Sequence, residues 1–401
     1  MKTQAPKNPI SGSIINDFEI FLQFIEQHQF NVTRNKGLIP NTAIPALNSL
    51  MSKPLSLNLK REQQLSYPHI NGLYLLARAS GLLHIKADKS KRYLAINETV
   101  RNAWNKLNDT ERYFNLMQTW FFRSDDQLIT RDRYSRDDVL QDVFTFLTNR
   151  LKNPLLFTRP DDQKYEIYPT KLHDIALLEM FDLIDVIENT NSEVSGWSIS
   201  KIVITRAGKQ FISLLKDWLK INPKEPFFEN IIEKLTLLNY KEKQADDFFQ
   251  RLKPAFPAWN VCIKPPKKPT NKGVHFFKVS LSNIIWRRIK IQGTACLDDL
   301  AVTILNAFNF DDDHLYEFSY NDNSGVARVI ADPRCEEPLD ASEFLIGDID
   351  ILPGDLIEFH YDFGHDWKFK IQLEEIDPEL KIKKSTVIEK GGEAPRQYSY
   401  Y

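Results

Sequence analysis

The run KPPKKPTNKG, residues 264–273, constrains this chain more than any other stretch. It holds three prolines, four lysines, a closing glycine and no apolar residue. Such a segment has nothing to bury and cannot continue a helix or a central strand. It predicts an extended, exposed connection between separately folded parts. The charge changes sign across it. Residues 1–273 carry 39 Lys and Arg against 30 Asp and Glu, a net of +9, and residues 274–380 carry 8 against 22, a net of −14. Basic surface suits phosphates and acidic surface repels them, so the two parts are expected to meet different partners.

At 401 residues and 42% hydrophobic, the chain is long and apolar enough for two or three domains with real cores. No run of eighteen apolar residues is present, which predicts no membrane-spanning helix. The opening MKTQAPKNPISGS lacks the apolar centre of a secretory signal. Cys262, Cys296 and Cys335 lie far apart with no CxxC, predicting neither a disulfide framework nor a zinc site. Together these features predict a cytoplasmic protein without membrane contact.

Before the linker the pattern is helical. Residues 14–30 and 42–51 have helix spacing, and YPHINGLYLLARASGLLHIKADKSKRYLAINE then predicts helix 68–79, a turn at Gly81, strands 82–86 and 92–96, and a helix capped by Asn97. The same order returns as helix 172–180, strands 183–188 and 197–204, and a helix capped by Thr205. Helix, two-stranded wing, helix is the outline of a winged helix, so the region predicts two such units, over 14–125 and 126–262. Further helix is expected over 226–252. A winged helix can bind nucleic acid through its recognition helix and wing, or dock proteins. In the first copy Arg78, Lys86, Lys89, Lys91 and Arg92 form the phosphate-contacting set, within residues 67–106; the second wing, ENTNSEVSGW, is acidic and suits DNA poorly.

Beyond the linker (263–273 in full), strands are predicted at 275–281, 284–291, 314–320, 355–361 and 366–373, with a helix opened by Asp298 and Asp299. This describes a small β-grasp-like α+β domain over 274–380. Residues 381–401 are expected to be a flexible tail. The fold class is therefore α+β, with the helical units first.

WRRIKI, DDLAVTILNAFNFDDDHLYEF and YDFGHDW resemble the plasmid pRiA ORF-3-like domain family, also described as insertion-element passenger proteins of a "TnpR family". Trp286 and Arg287 match its first element. His314, Leu315, Tyr316, Glu317 and Phe318 match the second, and Tyr361, Asp362, Phe363, Gly364 and Trp367 the third. The two-wing region is similar to the N-terminal part of long members. The chain departs from the pattern where His365 replaces an Asp, Phe369 a His, and Ala301 a His. The resemblance implies a mobile-element setting and no established reaction.

Asp362, His365 and Asp366 are the candidate metal ligands, with His314 and Glu317 nearby in sequence. Neighbouring strand residues point to opposite faces, which opposes convergence. The alternative is a structural turn: Asp362 capping backbone amides of the hairpin, Gly364 at positive φ, and Trp367 packed into the sheet. Arg287 is expected to pair with the acidic turn. No phosphate loop, GxSxG or HExxH is present. The reading is a non-catalytic binding or adaptor protein with a protein partner and no assigned cofactor. The alternatives are a metal-binding or enzymatic protein using the turn, and a DNA-binding regulator using the first wing.

Overall fold

The computed structural model describes residues 11–32, 37–88, 91–124, 139–150, 153–158, 162–163, 167, 171–189, 196–221, 233–265, 270–322, 327–335 and 340–398. They form two compact units, built mainly from the residues on either side of the linker. The protein is α+β, with its helices mostly before the linker and its largest sheet after it. Among the described residues no helix is long and apolar enough to cross a membrane, and Cys262, Cys296 and Cys335 form no disulfide.

The N-terminal unit opens with α1 (Ile14–Gln27). Phe18, Phe21, Leu22 and Ile25 recur at helical spacing and are buried. After α2 (Ile44–Leu50) comes α3 (Pro68–Ala79), then β1 (Leu83–Asp88) paired antiparallel with β2 (Lys91–Ile96). Residues 30–32 add a short third strand: the Val32 amide donates to the Arg92 carbonyl at 2.9 Å and the Leu94 amide to Phe30 at 3.2 Å. Helix α4 (Glu98–Asn105) starts where the Asn97 side chain accepts the amides of Thr99 and Val100. Next come α5 (Asp109–Phe122), α6 (Val139–Thr145) and β3 (Leu155–Leu156).

The second copy follows as α7 (Leu172–Met180), β4 (Ile184–Glu188), β5 (Ile199–Ile204) and α8 (Arg206–Ile221), with β3 beside β5 as residues 30–32 stand beside β2. The repeat extends to single bonds. The Asn97 amide donates to Leu82 at 2.8 Å and the Thr205 amide to Leu183 at 3.2 Å. Left-handed residues, Gly81 at φ 76° and Asp182 at φ 57°, follow α3 and α7. Thr205 caps α8 by accepting the Gly208 amide at 2.9 Å. One continuous core then joins the two copies, from Ile14 to Trp259. Helix α9 (Glu233–Leu252) completes the unit; the rest of the helix expected from residue 226 lies outside the described residues.

Helices α3 and α7 pack on each other so closely that a Cβ built on Gly72 falls 2.9 Å from Leu177 Cγ. Both are buried along nearly their whole length. Helix α5, which the sequence reading does not assign, is also buried on every side from Tyr113 to Phe122. A helix without a polar face carries no amphipathic signature.

The C-terminal unit is an antiparallel sheet of seven strands and one long helix. In chain order they are β6 (Val274–Ser280), β7 (Trp286–Gln292), α10 (Leu297–Phe308), β8 (Tyr316–Asn321), β9 (Ala327–Ala331), β10 (Leu356–Tyr361), β11 (Trp367–Asp377) and β12 (Thr386–Gly391). The sheet order is β12-β7-β6-β11-β10-β8-β9. Inward residues alternate along each strand, as Phe369, Ile371 and Leu373 do on β11. They meet Leu300, Ala301, Ile304 and Phe308 of α10 in a single core. Two of the departures from the family pattern, Ala301 and Phe369, are thus fully buried core positions.

The end of the chain corrects the expected flexible tail. Thr386–Gly391 pairs with β7, Gln397 is buried, and Tyr398 reaches Asp313. The strand's own residues are mostly exposed, so hydropathy does not announce it. Its stability comes from backbone pairing with an otherwise open edge.

Candidate functional site

The site is the hairpin between β10 and β11. Tyr361 and Trp367 form its last register pair, leaving five residues to turn the chain. The reversal is made by Asp362 at φ 54° and Asp366 at φ 57°. Gly364, expected to supply the positive φ, does not. The Asp366 amide donates to the Asp362 carbonyl at 2.7 Å, and the Asp362 amide to Leu315 at 3.0 Å, fastening the turn to the start of β8. Asp362 tolerates the left-handed region because its short carboxylate bonds locally.

Asp362 is the buried centre of the turn. Its Oδ1 accepts the amides of Gly364 at 3.1 Å and His365 at 3.2 Å, and its Oδ2 lies 2.8 Å from His365 Nδ1. His314 Nε2 stands 3.6 Å from the same oxygen. Burial alone pushes this carboxyl up; the His365 amide and ring, then the Gly364 amide, outweigh it and hold its pKa below the ordinary value. Asp366 faces elsewhere. It pairs with Lys368 at 2.7 Å and lies 2.9 Å from His360 Nε2, while His360 Nδ1 is 3.9 Å from Glu317. Lys368 holds the Asp366 carboxyl down. Asp366 therefore does not join Asp362 and His365, and among the described residues no three His, Cys, Asp or Glu form a ligand set.

A polar lock closes over Tyr361. Its hydroxyl lies 2.5 Å from the Asp311 carbonyl and 2.9 Å from Asp313 Oδ1, and accepts from Gln397 Nε2 at 3.2 Å. Tyr398 donates to Asp313 Oδ1 at 2.9 Å, and its ring meets His365 edge-on at 5.2 Å. Burial, with the Asp313 carboxylate, raises the Tyr361 hydroxyl to about 12. The tail lock is the part that sequence reasoning missed, because its partners Asp313 and Tyr361 lie far from Gln397 and Tyr398 in the sequence.

The other motif residues frame the core. Tyr316 donates to Asp298 Oδ1 at 2.5 Å, joining β8 to the start of α10. Trp367 packs edge-on against Phe310 at 4.8 Å. Trp286 pairs with Gly391, and the Lys278 ammonium sits over its ring. Arg287 overturns the ion pair expected of it. It is buried and donates to four backbone carbonyls: Ala307 at 2.9 Å, Trp286 at 2.8 Å, Gly391 at 2.9 Å and Gly392 at 3.2 Å. Its guanidinium covers Phe308, and burial lowers its pKa. It thus ends α10, where exposed carbonyls favour a cation, and clamps β12 to the sheet.

Of the phosphate-contacting set, Lys86 is exposed on the wing. Arg78 donates to the Tyr74 hydroxyl at 2.7 Å. Arg92 accepts the Val32 amide through its backbone carbonyl, and the backbone of Lys91 stands opposite that of Asp88 at the end of the hairpin. Lys89 lies outside the described residues.

An antiparallel sheet crossed by one helix, with a buried arginine and an Asp-centred hairpin, is the class of domain to which the comparisons speak. Residues 274–397 match the family model described as plasmid pRiA4b ORF-3-like protein. Among solved structures, the crystal structure of protein of unknown function MM3350 from Methanosarcina mazei Go1 is 24% identical over 31% of this chain and 72% of that one, with a TM-score of 0.28. No curated protein matches.

Proposed function

We propose that the chain is a non-catalytic adaptor of the mobile-element setting, working in the cytoplasm, whose acidic C-terminal unit docks a basic protein segment. One observation carries this reading: the polar groups of the signature motif are occupied in holding the domain together. Asp362, Tyr361, Tyr316 and Arg287 all bond within the unit. Residues 274–380 carry a net charge of −14, and exposed acids such as Glu343, Asp348 and Glu358 present part of it to a cationic partner.

A Lys- and Arg-rich peptide titrated into the full chain by calorimetry tests this. Saturable binding at low salt, weakened at high salt and in a variant combining the exposed changes Glu343→Gln, Asp348→Asn and Glu358→Gln, is expected. No binding at low salt, or no loss in the variant, sinks it. The DNA-binding alternative has less support. A groove-reading helix needs a free face, and α3 is buried against α7. Only the wing with Lys86 remains for phosphate contact, and duplex DNA binding that falls with salt and with Lys86→Ala would favour that alternative.

A further inference from the structure

The signature hairpin is bonded from within, yet it holds one aromatic ring out to solvent. Phe363, in its five-residue turn, is 48% exposed, and among the described residues no other phenylalanine or tryptophan is exposed. The ring meets His360 edge-on, with centres 4.8 Å apart. The strand register sets His360 of β10 between Glu317 of β8 and Lys368 of β11. All three alternate with core phenylalanines, so they stand on the sheet face away from α10. Asp366 Oδ1 lies 2.9 Å from His360 Nε2, and Glu317 Oε1 lies 3.9 Å from His360 Nδ1. One carboxylate thus stands at each nitrogen of the ring that Phe363 touches. Lys368, the neighbouring cation, already holds Asp366 through the same Oδ1, at 2.7 Å. Asp366 Oδ2 and Glu317 Oε2 have no partner among the described residues, and the two side chains are 61% and 37% exposed.

We propose that Phe363, Asp366 and Glu317 form an arginine-reading site: one arginine of a docked protein segment lays its guanidinium on the Phe363 ring and donates to the free carboxylate oxygens beside it. This rests on the reading of the acidic unit as a docking surface for a basic segment, and it names the place and the side chain. A guanidinium is planar and weakly hydrated, so it stacks on an aromatic face while its five N–H groups reach carboxylates on either side. An ammonium is a strongly hydrated point charge and gains less from the ring. Charge alone draws both; the exposed ring between the carboxylates separates them. The turn is already fixed, since the Asp366 amide donates to the Asp362 carbonyl at 2.7 Å and the Asp362 amide to Leu315 at 3.0 Å. Docking therefore orders little at the tip.

Two capped peptides titrated into the full chain at low salt test this, one of alternating glycine and arginine and the other with lysine in place of arginine. The arginine peptide should bind about fivefold more tightly. Phe363→Leu keeps an apolar tip and removes the ring; it should erase that preference and leave the lysine peptide's affinity unchanged. Asp366→Asn and Glu317→Gln should each weaken the arginine peptide severalfold. The arginine δ-methylene protons should move upfield on binding the parent, by the ring current of Phe363, and not on binding Phe363→Leu. If Phe363→Leu fails to fold, Asp366→Asn and Glu317→Gln decide. Equal affinity for the two peptides, a preference that survives Phe363→Leu, or unchanged binding in both carboxylate variants overturns the site. Should the peptides then still lose affinity in the Glu343, Asp348 and Glu358 variant, docking of a basic segment stands without it; if neither peptide binds the parent, both readings fall.

Discussion

At the scale of single residues, Asp362 shows how a signature residue can be structural. Its carboxylate accepts two backbone amides and the His365 ring at a buried position. Asp362→Ala should cost about 2–3 kcal/mol in denaturant unfolding, because it orphans those donors. Its pKa is lowered on folding from the ordinary 3.8. The stabilisation is therefore complete above the unfolded value and is lost as pH falls through the folded one. The stability gap between the parent and Asp362→Asn should shrink below about pH 4 and stay flat above about pH 5. Arg287→Met should cost about 3 kcal/mol, since four carbonyls lose a charged donor. The sequence makes Asp362 legible as a candidate amide cap, because a short carboxylate two residues before a glycine suits a turn, but it leaves a metal-ligand reading equally open. It does not make Arg287 legible, because two of its acceptors lie more than a hundred residues away.

At the scale of elements, the close contact between α3 and α7 is the feature that most shapes the N-terminal unit. Gly72→Val should destabilise it by about 1–3 kcal/mol, as the added carbons meet Leu177 and the carbonyl of His173. Both helices were readable from spacing and from the turn residues that follow them. Their mutual burial was not, since a helix buried by a partner and one buried by its own wing have the same pattern. Strand β12 is the converse case. It buries almost nothing, so no alternation marks it, and its hydrogen bonds to β7 exist only once that edge is present. A chain ending at residue 380 should have a less stable C-terminal unit, seen as faster amide exchange along β7.

At the scale of the whole molecule, two compact units on either side of a proline–lysine run should melt in two calorimetric transitions. Gly72→Val should lower one and Asp362→Ala the other; a shift of both by either change would show a single cooperative unit. The sequence by itself determined the proline–lysine run at 264–273, the reversal of charge across it, the repeated helix–hairpin–helix order and the hairpin motif. Each of these is a local property of composition or spacing. Only the tertiary structure decided that the two would-be recognition helices cover each other, that the chain's end locks onto Tyr361 and Asp313, and that Glu317 and Asp366 meet at His360 beside Phe363. Those facts rest on residues distant in sequence meeting in space, where packing rather than local preference sets the free energy.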